Sequence, residues 1–310
     1  MSWVNYPSLK TRRFIIVQLM KKIVPMLAIF CTVFFWGSSF PAMSFLLETS
    51  SPFILAAGRF SLAALLAVIW CINNYKQKVK LNHLLRYFFA GFIGIFLYNL
   101  FLNHGQESVS AGAGSFIVNC NPLFTALIGF FILKQKVSYI HWLGIIICMF
   151  GVGLISFDQE GGLNIGSGSS LILFAAILTA IYFHIVKPLV VIYGAITSTA
   201  YTIIFGTIPM LFWFPETYDF ISQSTNEIKL TYLWLALFPT ALGYLTWTYS
   251  VGYYGANKAS LFLYLIPPIS IILNFLWYEK NPSLITIFGG LVILLSVFFT
   301  LLLQQNGRVI

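Results

Sequence analysis

Residues 23–47 read IVPMLAIFCTVFFWGSSFPAMSFLL, a stretch without one charged side chain, with Lys21 and Lys22 before it and Glu48 after it. A helix needs roughly 20 mostly apolar residues to cross the hydrocarbon core of a bilayer. The stretch exceeds the apolar core of a cleavable signal peptide and has no A-x-A cleavage site, which predicts an uncleaved first membrane helix. Met20, directly before the two lysines, is an alternative start to Met1.

Outward from this stretch, polar and charged breaks divide the chain into ten runs of similar character. The sequence is 59% hydrophobic and only 8% charged, against roughly 25% charged residues in soluble domains. The runs are continuous rather than alternating, which favours helices over the strands of a membrane barrel. We expect an all-α integral membrane protein whose ten transmembrane helices lie near 24–47, 52–72, 87–104, 109–133, 138–156, 169–186, 191–214, 230–250, 257–277 and 283–303.

The basic residues lie mainly on one side of the membrane in this arrangement. All except Arg59, Lys229 and Lys280 fall in the tails and loops that share a side with the N-terminus, and the acidic residues occupy the opposite loops. The positive-inside rule then places both termini in the cytoplasm, with the chain crossing the inner (plasma) membrane many times. The net charge of +9 does not indicate nucleic-acid binding, because it resides in short loops between apolar runs.

The two halves of the chain align without a gap when Ala111 is placed on Ala256. The same shift carries Ser115, Pro122 and Gly144 onto Ser260, Pro267 and Gly289. Each unit holds five predicted helices, and an odd number makes the second unit enter the membrane from the opposite side, as in the inverted repeats of secondary transporters. The predicted organisation is a basic cytoplasmic tail, a first five-helix unit, an outer linker, a second five-helix unit and a cytoplasmic tail, at 1–22, 23–156, 157–168, 169–303 and 304–310.

Several motifs carry a resemblance to a known family. Trp36-Gly37-Ser38-Ser39-Phe40-Pro41, Ser51-Pro52, Gly58-Arg59-Phe60, Asn121-Pro122-Leu123-Phe124 and Leu263-Tyr264-Leu265-Ile266-Pro267 resemble motifs of the drug/metabolite transporter superfamily with paired EamA domains. The resemblance covers residues 24–303. It implies ten helices around a central cavity and transport of amino acids or related small metabolites. Lys134 departs from the acidic residue usual in the first unit, and residues 179–187 lack the usual tryptophan.

Polar side chains form stripes on four predicted helices. Asn99 and Asn103 share one face of the third helix, and Tyr244 is the equivalent of Asn99 on the eighth. Such faces turn away from lipid, so these helices should meet, either around a substrate cavity or through interhelical hydrogen bonds. Aromatic side chains could stack on a substrate. The candidate substrate-binding residues are Trp36, Asn99, Asn103, Asn119, Tyr182, Tyr244, Trp247 and Tyr264.

Five further residues have a candidate role. Arg59 is the one clear cation within a predicted span, which predicts either snorkelling and pairing with helix-end carbonyls or contact with an anion. His104 and His184 are candidates for interface hydrogen bonds or for proton sensing. Proton sensing is considered because imidazole titrates near neutral pH. Pro122 and Pro267 predict helix hinges, because proline removes a backbone hydrogen bond.

These observations predict a secondary transporter that moves a small polar organic metabolite, such as an amino acid, by alternating access. The partners are the small-molecule substrate and the lipid bilayer, and the chain is a monomer or a homodimer. No cofactor or metal is expected, since the four cysteines lie in apolar runs without metal-ligand spacing. The alternatives are a channel-like facilitator and a polytopic membrane enzyme, although HExxH, GxSxG and P-loop motifs are absent from the sequence.

Overall fold

The computed structural model describes residues 9–74, 79–109, 117–157, 167–278 and 283–305. Every regular element within these ranges is helical, which confirms the predicted all-α class. The described part of the first half contains five main helices. They are α1 (Leu9–Leu47), α2 (Pro52–Asn73), α3 (Leu81–Gln106), α4 (Asn121–Ile132) and α5 (Tyr139–Phe157).

The second half begins with a long helix, Ser167–Thr207, which is interrupted at Gly194, where φ is 81° and ψ is 168°. We name residues 167–193 α6 and residues 195–223 α7. The helical stretch Gly168–Gln223 has 56 residues, or about 84 Å at 1.5 Å per residue, far more than the roughly 30 Å hydrocarbon core. The remaining helices are α8 (Asn226–Tyr254), α9 (Ala256–Leu261, Phe262–Leu265 and Ile266–Tyr278) and α10 (Leu284–Gln305).

The length and apolar composition of these helices are those of membrane-spanning helices. Within the described ranges, six helices are long and apolar enough to cross a bilayer, and three shorter apolar helices accompany them. Large apolar side chains such as Ile69, Phe131, Phe212 and Leu276 are exposed on the outside of the bundle. A contiguous apolar surface of this kind is unusual for a protein in water and suits contact with lipid.

The first helix of each half packs against the third and fourth helices of the other half. In α1, Gly37 lies against Ile269 of α9, and Trp36 lies against Gly243 of α8. In α6, Tyr182 lies against Gly94 of α3, and the His184 Nε2 donates to the Thr125 carbonyl of α4 at 2.9 Å. The small residues allow this close approach between helices. The two halves are therefore interleaved rather than adjacent.

The fifth helices of the two halves, α5 and α10, pack against each other. Gly144 of α5 faces Thr300 of α10, and Gly151 faces Ile293. The Ser296 hydroxyl donates to the Gly144 carbonyl at 3.2 Å. A side chain at Gly144 or Gly151 would separate the two helices, so glycine sets their distance.

The third helices of the two halves share an irregularity. A π-helical turn spans Phe92–Leu97 in α3 and another spans Ala236–Leu242 in α8. The shift that superposes Ala111 on Ala256 carries the first turn onto the second. Such turns insert an extra residue into the helix and are frequent at functional sites. The apolar pattern of the sequence gives no sign of them.

Some helix limits differ from the prediction. Helix α1 begins at Leu9, inside the segment predicted as the N-terminal tail, and α7 continues to Gln223 through a 3₁₀ turn, Ile208–Trp213. Parts of the predicted tails, of the fourth span and of the outer linker lie outside the described residues, at 1–8, 306–310, 110–116 and 158–166.

The two candidate hinge prolines occupy different positions, since Pro122 lies at a helix start and Pro267 lies in the interior of α9. Pro122 is the second residue of the helical segment Asn121–Leu127, and Pro267 is the second residue of Ile266–Tyr278, directly after a 3₁₀ turn. In a first turn the backbone N–H has no intrahelical acceptor, so Pro122 costs no hydrogen bond. Pro267, inside α9, removes a backbone donor from a continuing helix. Their role as hinges stays a prediction.

Candidate functional site

A small cavity lies in the centre of the bundle between the two halves. Its volume is about 50 Å³, well below the roughly 300–1,000 Å³ of typical ligand pockets, so a metabolite requires it to widen. The residues that line it come from α1, α2, α3, the segment before α4 and its first residue, α6, α8 and α9. They are Trp36, Ser39, Phe40, Met43, Arg59, Tyr98, Leu102, Val118, Asn119, Asn121, Thr179, Tyr182, Phe183, Tyr244, Leu263 and Ile266.

An aromatic cluster forms one wall of the cavity. The Trp36 ring centroid lies 5.5 Å from that of Tyr244 and 5.4 Å from that of Trp247. Trp247 is fully buried behind Trp36 and packs on Phe183 at 4.4 Å. The Trp36 indole N–H donates to the carbonyl of Pro239, in the π-helical turn of α8, at 3.0 Å. This bond fixes the orientation of the indole at the cavity surface.

Arg59 brings the only positive charge among the described residues that line the cavity. Its side chain is 5% exposed, and its Nη1 donates to the Met43 sulfur at 2.9 Å. The guanidinium carbon lies 4.9 Å from the centre of the Phe60 ring, and the Arg59 Nε is buried without a hydrogen-bond partner. Thioether sulfur is a weak acceptor, so the guanidinium is poorly satisfied.

The three candidate asparagines divide between the cavity and the helix packing. Asn119 lines the cavity. Asn99 is fully buried and donates to the Ile95 carbonyl of its own helix at 2.7 Å. Asn103, also fully buried, donates to the Pro52 carbonyl of α2 at 3.1 Å. Neither Asn99 nor Asn103 is among the residues that line the cavity.

Of the remaining candidates, Tyr182 and Tyr244 line the cavity and Tyr264 does not. Tyr264 is fully buried, and its hydroxyl has no hydrogen-bond partner. The structure thus brings Trp36, Arg59, Asn119, Tyr182 and Tyr244 together around one space. Their binding of a substrate stays a prediction.

The two candidate proton-sensing histidines lie away from the cavity. His104, near the end of α3, bonds through Nδ1 to the Leu100 carbonyl at 2.9 Å and packs edge-on against Phe53. His184 bonds to a carbonyl of α4, as described above. Both rings thus take part in hydrogen bonds within or between helices, and proton sensing by either stays a prediction.

Sequence reasoning missed several residues that line the cavity, including Ser39, Met43 and Thr179. A usable signal existed in α1, because Trp36, Ser39, Phe40 and Met43 recur at the spacing of one helical face. Once Trp36 is a candidate, that spacing selects the other three. Thr179 gave no comparable signal, since threonine also occurs on helix faces that pack against other helices.

Comparison with known proteins gives the family. The model of the EamA-like transporter family matches residues 23–157 and again residues 166–302. The chain belongs to the EamA-like transporter family. The expected presence of two EamA units is confirmed, and this EamA-family chain is a multi-pass membrane transporter rather than an enzyme.

Individual relatives agree with this assignment. The chain is 32% identical over 267 residues to the transporter YdfC of Bacillus subtilis, covering 86% of this chain and 87% of YdfC. It is 24% identical over 263 residues to a probable terminal-alkyne amino-acid exporter of Streptantibioticus cattleyicolor, covering 85% and 88%. A crystal structure with 15% sequence identity matches the fold with a TM-score of 0.74, over 90% of this chain and 96% of that chain.

Proposed function

We propose that this EamA-family chain is a secondary carrier that moves a small polar organic metabolite across the inner (plasma) membrane by alternating access. The observation that carries the proposal is the central cavity, which takes Trp36, Arg59 and Asn119 from the first half and Tyr182 and Tyr244 from the second. Secondary transporters typically bind substrate at the interface of two repeats, near the bilayer midplane. Movement of one half against the other would open such a cavity to each side in turn.

The same proposal includes ten spans arranged as two inverted five-helix repeats. Three observations support it: the reciprocal packing of α1 and α6, the pairing of α5 with α10, and the equivalent π-helical turns of α3 and α8. An inverted repeat relates each of these pairs by one pseudo-two-fold axis. The break at Gly194 supplies the tenth span by dividing a helix too long for one crossing.

The cargo we favour is an amino acid or a related compound. The cavity combines an aromatic wall, neutral polar groups such as Asn119 and Thr179, and one cation. Such a lining fits a small zwitterion or monoanion with an uncharged side chain. The Streptantibioticus relative, whose name describes an amino-acid exporter, supports the same class.

A counterflow experiment tests the carrier function. The purified protein is reconstituted into liposomes loaded with a mixture of unlabelled amino acids, and uptake of each labelled amino acid is followed. We expect saturable uptake that exceeds the equilibrium level transiently, because a carrier exchanges internal for external substrate. A channel-like facilitator would equilibrate the label without that overshoot, and such a result would contradict the proposal.

A further inference from the structure

We infer that the substrate carries a single carboxylate and that Arg59 binds it. The inference rests on the proposed carrier function and narrows it to a substrate class. Arg59 lines the cavity, and only 5% of its surface is exposed. Its Nε has no hydrogen-bond partner. A buried, incompletely satisfied guanidinium that faces a cavity is a built receptor for an anion.

Among the residues that the structure describes, no acidic side chain provides a counter-ion for this charge. The described acidic residues, Glu48, Glu107, Glu216, Asp219 and Glu227, are all exposed. The guanidinium donates to the Met43 sulfur and lies over the Phe60 ring, and neither of these groups is negatively charged. A charge inside a membrane is costly unless it is compensated, and a bound anion would compensate it.

The number of charges indicates a monoanion. Arg59 is the only Lys or Arg among the described residues that line the cavity. The repeat does not duplicate it, because Ile204 occupies the equivalent position in the second half. A dianion such as a phosphate ester would bring one negative charge more than the cavity can neutralise.

The geometry of the donor selects the carboxylate among monoanions. A guanidinium is a planar fork whose donors match the two oxygens of a carboxylate. Trp36 and Tyr244 line the same cavity, and aromatic rings attract a cationic amine. Leu102 and Ile266 add an apolar surface. An amino acid with an uncharged side chain satisfies all three parts of the cavity.

The test compares matched acids and amides. Thermal unfolding of the purified wild-type protein in detergent is measured with each neutral amino acid and with its amide, which differs only in the carboxylate. We expect stabilisation by some acids and none by their amides. In Arg59→Gln the stabilising acids should bind roughly thirtyfold more weakly or worse, the loss expected when one partner of a buried charge pair is removed. Arg59→Lys should retain part of the affinity.

The controls separate this inference from the carrier function. Arg86→Gln removes an exposed positive charge of α3 and should bind the acids as the wild type does. Equal stabilisation by acids and amides, or by no member of either series, would overturn the inference. The wild-type comparison needs no variant, so it stands even if Arg59→Gln fails to fold. Counterflow of sugars and nucleosides, in liposomes loaded with the same unlabelled compounds, shows whether a carrier function survives without carboxylate recognition.

Discussion

At the scale of single residues, Tyr182 shows how close packing and the cavity depend on each other. Its side chain is 1% exposed, and one part of the ring lines the cavity while another lies on Gly94 in the π-helical turn of α3. A Cβ atom at Gly94 would overlap the Tyr182 ring. The absence of a side chain at Gly94 therefore sets the position of an aromatic group at the candidate site.

Gly94→Ala should impair both stability and transport. The added methyl group must move Tyr182 or separate α3 from α6, and overpacking of this kind costs about 1–3 kcal/mol. We expect a lower melting temperature in detergent and slower counterflow. The control is Gly290→Ala in α10, where the nearest atom to the added Cβ is the Pro268 Cβ at 4.0 Å. Equal behaviour of the two variants would show that the contact with Tyr182 is not restrictive.

Arg59 illustrates what the sequence could and could not predict about the site. An arginine within an apolar span is visible in the sequence, and it left open snorkelling, pairing with carbonyls or binding an anion. The choice among these three roles depends on which groups surround the guanidinium, such as the Met43 sulfur. Only the packing of α1 against α2 and α3 determines those groups. The stripe of α3 was ambiguous for the same reason, since Asn103 bonds to Pro52 rather than facing the cavity.

At the scale of helices, two glycines form breaks with nearly the same conformation. Gly194 separates α6 from α7 with φ 81° and ψ 168°, and Gly255 separates α8 from α9 with φ 80° and ψ 157°. This region of backbone conformation is essentially restricted to glycine. The two residues thus allow the chain to leave one helix and start another without an intervening loop.

Gly194→Ala should destabilise the protein through its backbone alone. No atom lies within 4 Å of the added Cβ, so the cost is that of the strained conformation, about 1–3 kcal/mol. Since Gly194 does not line the cavity, we expect a lower melting temperature and an unchanged half-saturation concentration in counterflow. Gly290→Ala again provides the control, and a melting temperature equal to that of the control would contradict the strain.

The helices themselves were largely predictable, whereas their irregularities were not. Continuous apolar runs place helices such as Pro52–Asn73 and Leu284–Gln305 within a few residues of the predicted limits, because crossing lipid constrains both composition and length. The π-helical turn Phe92–Leu97 has the composition of an ordinary apolar helical segment, so the sequence does not distinguish it. Gly194 lies within the predicted seventh span, 191–214, and its positive φ of 81° could not be inferred from composition.

At the scale of the whole molecule, the interleaved packing makes the two halves interdependent. Helix α1 lies against α8 and α9, and α6 lies against α3 and α4, so each half completes the environment of the other. The cavity forms where these contacts converge. An inverted arrangement also requires the chain to pass the membrane an odd number of times before the second half begins, which gives the topology a direct experimental consequence.

Reporter fusions should place the ends of the first half on opposite sides of the membrane. If the N-terminus is inside, five crossings by α1 to α5 put the 158–168 segment outside. Five more crossings return Arg308 to the cytoplasm, which agrees with the distribution of lysine and arginine. Alkaline phosphatase should be active when fused within 158–168 or after Ser224, and a fluorescent protein should fluoresce when fused after Arg308. Ser224 lies between α7 and α8, so its fusion reports separately on the break at Gly194. If α6 and α7 crossed the membrane only once, the fusions at Ser224 and within 158–168 would report opposite sides, and the inverted repeat would be wrong.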